Sequence, residues 1–345
     1  MKYSFSLLAI TLFLTANSQA LTGFQLVDEP ARKQVAVLYN GRLLTAYCYT
    51  DSIAKPFLYP VNTLSGITVT RGFPVKPIPG ESTDHPHHVG IWLNYESVNG
   101  IDFWNNSSAI PASKKEHYGT IMHRQITDKA QTATTATLKT TATWVTHSGE
   151  QLLNETTTYF FEVKDRLFYI TRSTTLTALQ KPVVFKDVKD GFFAIRVAKE
   201  LEMPSAESKT FTDVHGTATT VAASGNPKAT GMYYASNGLK GDAVWSSQGT
   251  WAMLQGRKDG APITIALLDH PSNTGYPTYW HARGYGLFAL NPLGRFVFSN
   301  GKDSLNLTLQ PGESKKFTYR VIIAAEHLGE SAIKKQEEAF AKTGY

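Results

Sequence analysis

Cysteine is almost absent from this chain of 345 residues: Cys48 stands alone. A single thiol excludes an intramolecular disulfide, and its position far from the N-terminus excludes a lipid-bearing first cysteine. Charge is sparse as well. Asp, Glu, Lys and Arg make up 18% of the residues, below the usual ~25%. The net charge of +6 is scattered, with no block of Lys or Arg. There is no basic stripe interleaved with aromatics, so nucleic acid is not an expected partner. Beyond residue 20 no apolar run approaches the roughly 20 residues of a membrane helix, so the mature chain is expected to have no membrane partner. Also missing are G-x-S-x-G, a Walker loop, a paired-cysteine motif, H-E-x-x-H and the dinucleotide fingerprint. Catalysis would then fall to His, Asp, Glu, Lys, Arg or a bound metal.

Residues 1–20 read as a secretory leader. Lys2 supplies the positive end, Leu7–Ala16 the apolar stretch, and Asn17-Ser18-Gln19-Ala20 the small-residue cleavage region. The expectation is a periplasmic or secreted protein in which 21–345 form one domain.

Beyond the leader the chain is β-rich. Gln34–Tyr39 and Arg42–Tyr49 flank Asn40-Gly41, a strong hairpin signal. Tyr118–Thr127, Thr132–His147, Leu152–Val163 and Arg166–Leu176 are long, Thr-rich, alternating runs that read as an antiparallel meander. Short strand-like runs resume from Val183 to Ala324, with Asp259-Gly260 and Asn300-Gly301 as further hairpin turns. Only 331–342 reads as a helix, expected to cap a sheet edge. No linker divides the chain. The fold class predicted is all-β: a large two-sheet antiparallel β-sandwich with a C-terminal helix.

Chemistry concentrates in two segments. The first holds Asp84-His85-Pro86-His87-His88, followed by Trp92, Asn99, Asp102 and Trp104. Proline biases His85 towards extended backbone. An extended run would put His85 and His87 on one face and His88 on the other. Two imidazoles on one face suit proton transfer near neutral pH, or a divalent metal, and Asp84 could fix a tautomer by accepting an imidazole N–H. The second segment runs from Leu268 to Gly294. It carries Asp269, His270, Asn273, Trp280, His281 and Arg283 on what its glycines and prolines mark as largely loop. A third group, Asp187 and Lys189, precedes the Asp190-Gly191 turn, where a surface ion pair is an equally good reading. Glu155, amid the Thr-rich runs, reads as structural.

The motifs D-H-P-H-H-V-G-I-W, V-N-G-I-D-F-W, F-K-D-V-K-D-G-F-F-A-I-R and L-D-H-P-S-N…W-H-A-R-G-Y-G-L-F…N-P-L-G are specific, and they cover most of Lys55–Phe298. Through them the chain resembles a family of secreted bacterial proteins labelled PmoA-like, a domain of unknown function (DUF6807). The label refers to a membrane-spanning subunit of methane monooxygenase; lacking such a span, this chain is not expected to share that copper chemistry. The resemblance implies a β-supersandwich of the galactose-mutarotase type and a role in carbohydrate utilisation. Where the family pattern has Lys-Glu-Gly, this chain has Lys189-Asp190-Gly191.

The function expected is therefore a carbohydrate-active enzyme. Asp84, His85, His87, His88, His270 and His281 would carry acid–base chemistry. Trp92, Asn99, Asp102, Trp104, Asp187, Lys189, Asp269, Asn273, Trp280 and Arg283 would bind the carbohydrate. Glycosidic cleavage, by hydrolysis or by elimination on a keto-glycoside, leads. The alternatives are a mutarotase or isomerase, a non-catalytic carbohydrate-binding protein, and a metal-dependent hydrolase using His85, His87 and His270 or His281.

Overall fold

The computed structural model describes residues 22–205, 208–212, 218–221 and 229–345; the leader expected over 1–20 lies outside the described residues. Two large antiparallel sheets face each other. The first has nine strands in the spatial order Phe24–Glu29, Gln34–Tyr39, Arg42–Cys48, Phe57–Val61, Ile91–Tyr95, Gly191–Arg196, Leu287–Asn291, Thr278–Arg283 and Gln248–Gly249. The second has eight, running Met232–Ala235, Trp251–Lys258, Ala261–Asp269, Ser314–Ala324, Leu167–Ala178, Gln151–Lys164, Thr135–Thr146 and Gly119–Gln131.

Alternation builds the core. In Thr135–Thr146, Ala136, Leu138 and Trp144 turn inward between the sheets, while Thr135 stays exposed. The neighbouring strands contribute Leu153, Tyr159, Phe161, Phe168 and Ile170 to the same core. Glu155 is part of this interior. It accepts Trp144 Nε1–H (2.9 Å) and Arg172 Nη2–H (2.6 Å), and is a structural carboxylate. Turn chemistry sets the registers: Asn40-Gly41 and Asp259-Gly260 both take positive φ and close two-residue hairpins. Asn300-Gly301 does not close a hairpin; it follows a short helix, Arg295–Phe298.

Each sheet's outer face is covered differently. On the second sheet the C-terminal helix Glu330–Phe340 lays Ile333 and Phe340 over Trp251, Met253, Leu268 and Ile322. In the first sheet the central strands Ile91–Tyr95, Gly191–Arg196 and Leu287–Asn291 are buried on both faces. Their inner residues meet the core. Their outer residues lie beneath the loop that carries the first histidine segment.

The expectation that 268–294 is largely loop is corrected. Thr278–Arg283 and Leu287–Asn291 pair as strands in that sheet, because cross-strand pairing outweighs the turn signal of the intervening glycines. Truncating Phe340 to Ala should lower stability by about 3–5 kcal/mol, read from urea unfolding. An unchanged midpoint would show that the helix is not an integral layer.

Candidate active site

Trp92, Ala194, Ala289 and His281 are register partners across four adjacent strands, so their side chains form one row on the outer face of the first sheet. Strands spaced by about 4.8 Å separate Trp92 from His281 by roughly 14 Å. The two alanines keep the middle of the row low, and Val89, Trp104 and Tyr285 pack against this floor.

The histidine segment above it is a turn and not an extended run. His85 has φ 42°, and His88 N–H donates to His85 O at 2.9 Å. Arg71 explains the departure. Its buried guanidinium donates to the carbonyl oxygens of Asp84 (2.9 Å), His85 (3.0 Å) and His88 (3.2 Å), and also to the Asp84 carboxylate. Charge-assisted hydrogen bonds to converging carbonyls outweigh the cost of one left-handed residue. All three imidazoles consequently cluster. His85 and His88 stack in parallel with ring centres 4.7 Å apart. His87 stands edge-on to both, at 5.5 and 4.4 Å.

Asp84 Oδ1 accepts from Arg71 and from Arg196 Nη2 (2.8 Å), while Oδ2 lies 3.0 Å from His85 Nδ1. Burial alone would raise its pKa. Arg196, the His85 hydrogen bond and Arg71 outweigh burial and hold the carboxyl well below the usual carboxylate range. Asp84 is thus an orienting anion and not a proton donor. As an acceptor it fixes the Nδ1–H tautomer of His85, which leaves Nε2 as the basic nitrogen. Arg196 Nη1 donates to His88 Nδ1 (3.3 Å) and sets the opposite tautomer there. Burial pushes His85, His87, His88 and His281 below their ordinary pKa of 6.5; at His85 the Asp84 hydrogen bond opposes it, at His87 and His88 the neighbouring imidazoles add to it, and at His281 Lys189 does. At neutral pH all four are neutral bases.

Facing this cluster, His281 is buried. Its Nδ1 has no hydrogen-bond partner among the described residues and lies 3.7 Å from Asp190 Oδ1. Lys189 Nζ is 3.6 Å from the same oxygen. Asp190 N–H donates to buried Glu96 Oε2 (3.2 Å). Burial raises the Glu96 pKa, and the carboxylates of Asp190 and Asp102 push it further the same way. Lys55 Nζ donates to His87 O (2.7 Å), 5.4 Å from the centre of the Trp92 ring. Burial pushes its pKa down to about 7 against the pull of Asp102. Half-buried Lys189, Asp190, Arg283 and Tyr285 form the mouth. The Tyr285 ring stacks on His85 at 5.0 Å, with the Arg196 guanidinium 4.9 Å from its centre.

The second segment divides. His281 and Arg283 sit at the site, while Asp269, His270 and Asn273 do not. Asp269 accepts from Asn273 Nδ2 (2.7 Å) and Thr278 N–H (3.0 Å), and Asn273 bonds the backbone of Thr318. His270 packs on Phe340 of the C-terminal helix, ring centres 5.0 Å apart. The structure does not bring these three expected site residues to the histidine cluster; their contacts hold a loop together.

Trp280 faces the core beside Phe288, so it cannot stack on a ligand in the site. Trp92 and Trp104 are 0% and 1% exposed; they wall His88 and present no open face. Asn99 is exposed elsewhere and pins Pro182 O and Val184 N–H. Asp187 accepts from the backbone of Phe296, Leu305 and Asn306, and Asp102 from Asn105. Short polar side chains in loops satisfy backbone first. Arg71, Lys55, Glu96 and Glu202 escaped the sequence reading. For Lys55 the available signal was a lone charge within an otherwise apolar run; Glu202, beside Lys199 and Glu200, offered none.

A divalent metal does not fit this cluster. Among the described residues no three His, Cys, Asp or Glu groups are disposed to hold an ion. Two of the three clustered imidazoles commit Nδ1 to Asp84 and Arg196, beside two guanidiniums.

Fold and site together define an antiparallel β-sandwich with a buried imidazole–guanidinium–carboxylate centre on one outer sheet face. The chain belongs to the family of unknown function DUF6807, which matches residues 34–337. Among solved structures it is similar to the galactosidase domain of the alpha-galactosidase–sucrose kinase AgaSK, at 12% identity and TM-score 0.40, covering 90% of this chain and 43% of that one. It is also similar to galactose 1-epimerase from Lactobacillus acidophilus, at 12% identity and TM-score 0.37, covering 90% of this chain and 100% of that one. A galactose mutarotase related enzyme from the same organism gives 8% identity and TM-score 0.32, covering 88% and 98%. This chain therefore spans less than half the length of the first of these. No curated protein sequence matches it. Among the described residues no helix is long and apolar enough to cross a membrane.

The buried imidazoles predict a pH effect on stability. Each binds its proton more readily in the unfolded chain, so stability is complete above about pH 6.5 and falls as the pH drops below it. Buried Glu96, Glu202 and Asp269, whose pKa values burial raises, act in the opposite sense over this range. The imidazole share is therefore read by urea unfolding between about pH 7.5 and 5 as the difference between the parent and His88→Gln, in which the acid-side decline should be smaller. A decline of equal slope in the variant would mean that His88 is not among its causes.

Proposed function

We propose that this protein is a secreted or periplasmic carbohydrate-active enzyme that cleaves a glycosidic bond by imidazole-based proton transfer. The Asp84–His85 pair carries the reading. A carboxylate held ionised by Arg71 and Arg196 orients a neutral imidazole through Nδ1, which leaves Nε2 to take a proton. Nδ1 of buried His281, which has no hydrogen-bond partner among the described residues, supplies a second basic position. Lys189, Asp190 and Arg283 at the mouth are donors and acceptors suited to hydroxyl groups. The half-buried Tyr285 ring adds an apolar surface. The sugar-utilisation role implied by the sequence resemblance is a further support.

In this reading His85 withdraws a proton from water, or from a sugar carbon acidified by a neighbouring keto group. The C–O bond then breaks, and a second group protonates the departing oxygen. Positioned acid–base groups of this kind each contribute about 10²–10⁴-fold.

The test is incubation with native and keto-glycosides, with products read by mass spectrometry. Replacing His281 or His85 by Ala should lower kcat by about 10²–10⁴-fold while substrate affinity changes only several-fold. Turnover equal to that of the parent in both variants would sink the reading, and anomer interconversion without cleavage would replace it with mutarotation. The base works unprotonated, and burial lowers its pKa. The acid limb of kcat/KM should therefore begin below pH 6.5.

A further inference from the structure

We propose that Glu202 is the proton donor of this site, the group that protonates the departing glycosidic oxygen; the assignment rests on the glycosidic-cleavage reading above. Glu202 follows the short 3-10 turn Lys199–Leu201, six residues beyond Arg196. Its side chain is buried, yet Oε1 has no hydrogen-bond partner among the described residues. The nearby cation, Arg196 Nη2, is 3.7 Å away and already bonds Asp84 Oδ1 at 2.8 Å. A structural buried carboxylate normally accepts several hydrogen bonds. One left without them is poised to carry a proton or to meet a ligand.

Its surroundings are built to admit it. A Cβ at Gly286 would lie 3.1 Å from Glu202 Cγ and 3.4 Å from Oε1, so the missing side chain makes room for the carboxyl. Gly286 adjoins Tyr285, the mouth residue whose ring stacks on His85. The carboxyl therefore abuts the turn that carries the ring packed on the base. Burial raises the Glu202 pKa to about 7 against the opposing charge of Arg196, so a protonated fraction persists at neutral pH. Glu96 is less suited, because it already accepts Asp190 N–H.

The step balances. The Glu202 O–H bond breaks and its proton passes to the glycosidic oxygen, which keeps the electron pair of the broken C–O bond. The carboxylate left behind faces Arg196. In hydrolysis the electron pair of a water O–H bond, released as His85 takes the proton, forms the new C–O bond. In elimination the C–H pair forms a C=C bond. His85 then returns its proton to solvent, from which Glu202 is reprotonated.

The experiment compares the parent with the isosteric Glu202→Gln variant on 4-nitrophenyl and methyl glycosides of the same native or keto sugar. With the methyl glycoside kcat should fall by about 10²–10⁴-fold. The 4-nitrophenyl substrate, whose phenolate departs without a proton, should lose less than about tenfold. The infrared difference spectrum of parent minus Glu202→Gln near neutral pH should carry a protonated-carboxyl band, since buried Glu96 and Asp269, whose pKa values burial also raises, contribute to both proteins. Equal losses on both substrates, unchanged rates on both, or no such band in the difference spectrum would overturn the assignment while leaving glycosidic cleavage standing. A parent that cleaves neither substrate class would remove the cleavage reading itself, and this assignment with it.

Discussion

A buried anion held between two buried guanidiniums is the constraint on which the rest of the site depends. Arg71 and Arg196 come from chain segments more than a hundred residues apart, and both bond Asp84 Oδ1. Taking three charges out of water costs several kcal/mol per ion before their mutual attraction is counted. Apolar residues would fill the same volume more cheaply, so stability alone does not account for the arrangement. What the charges provide is orientation. Arg71 gathers the carbonyls of the histidine turn, Asp84 sets the tautomer of one imidazole, and Arg196 sets that of another.

The sheet beneath contributes by being low where the turn must sit. Ala194 and Ala289 occupy the middle of the row between Trp92 and His281, and larger side chains there would lift the turn from its seat. The outer face of an antiparallel sheet is commonly wetted. Here the central strands are buried on that face too, by a loop that brings its own charges. That burial lowers the pKa of the imidazoles and keeps them neutral at neutral pH.

Most of the framework could be read from the residues themselves. Strict alternation marked the four-strand meander, the Asn-Gly and Asp-Gly pairs marked two hairpins, and the helix expected over 331–342 occupies Glu330–Phe340. The histidine segment stood out by composition. Its shape did not, because the backbone of His85 obeys Arg71, a residue fourteen positions away, and not the adjacent proline. In the second segment, loop chemistry concealed the strand Thr278–Arg283, while the run Gly286–Leu290 reads as the strand found at Leu287–Asn291. Once Thr278–Arg283 is a strand, alternation alone sends Trp280 to the core and His281 to the outer face. Glu202 and Lys55 leave no periodic trace, because their positions depend on contacts between distant segments.

The helix Glu330–Phe340 seals one broad side of the sandwich, leaving the opposite side to hold the imidazoles. The molecule consequently has a back and a front. A surface, carrier or fused protein attached through the last residues would hold it by the back, with the mouth at Tyr285 and Arg283 turned outward to diffusing solutes.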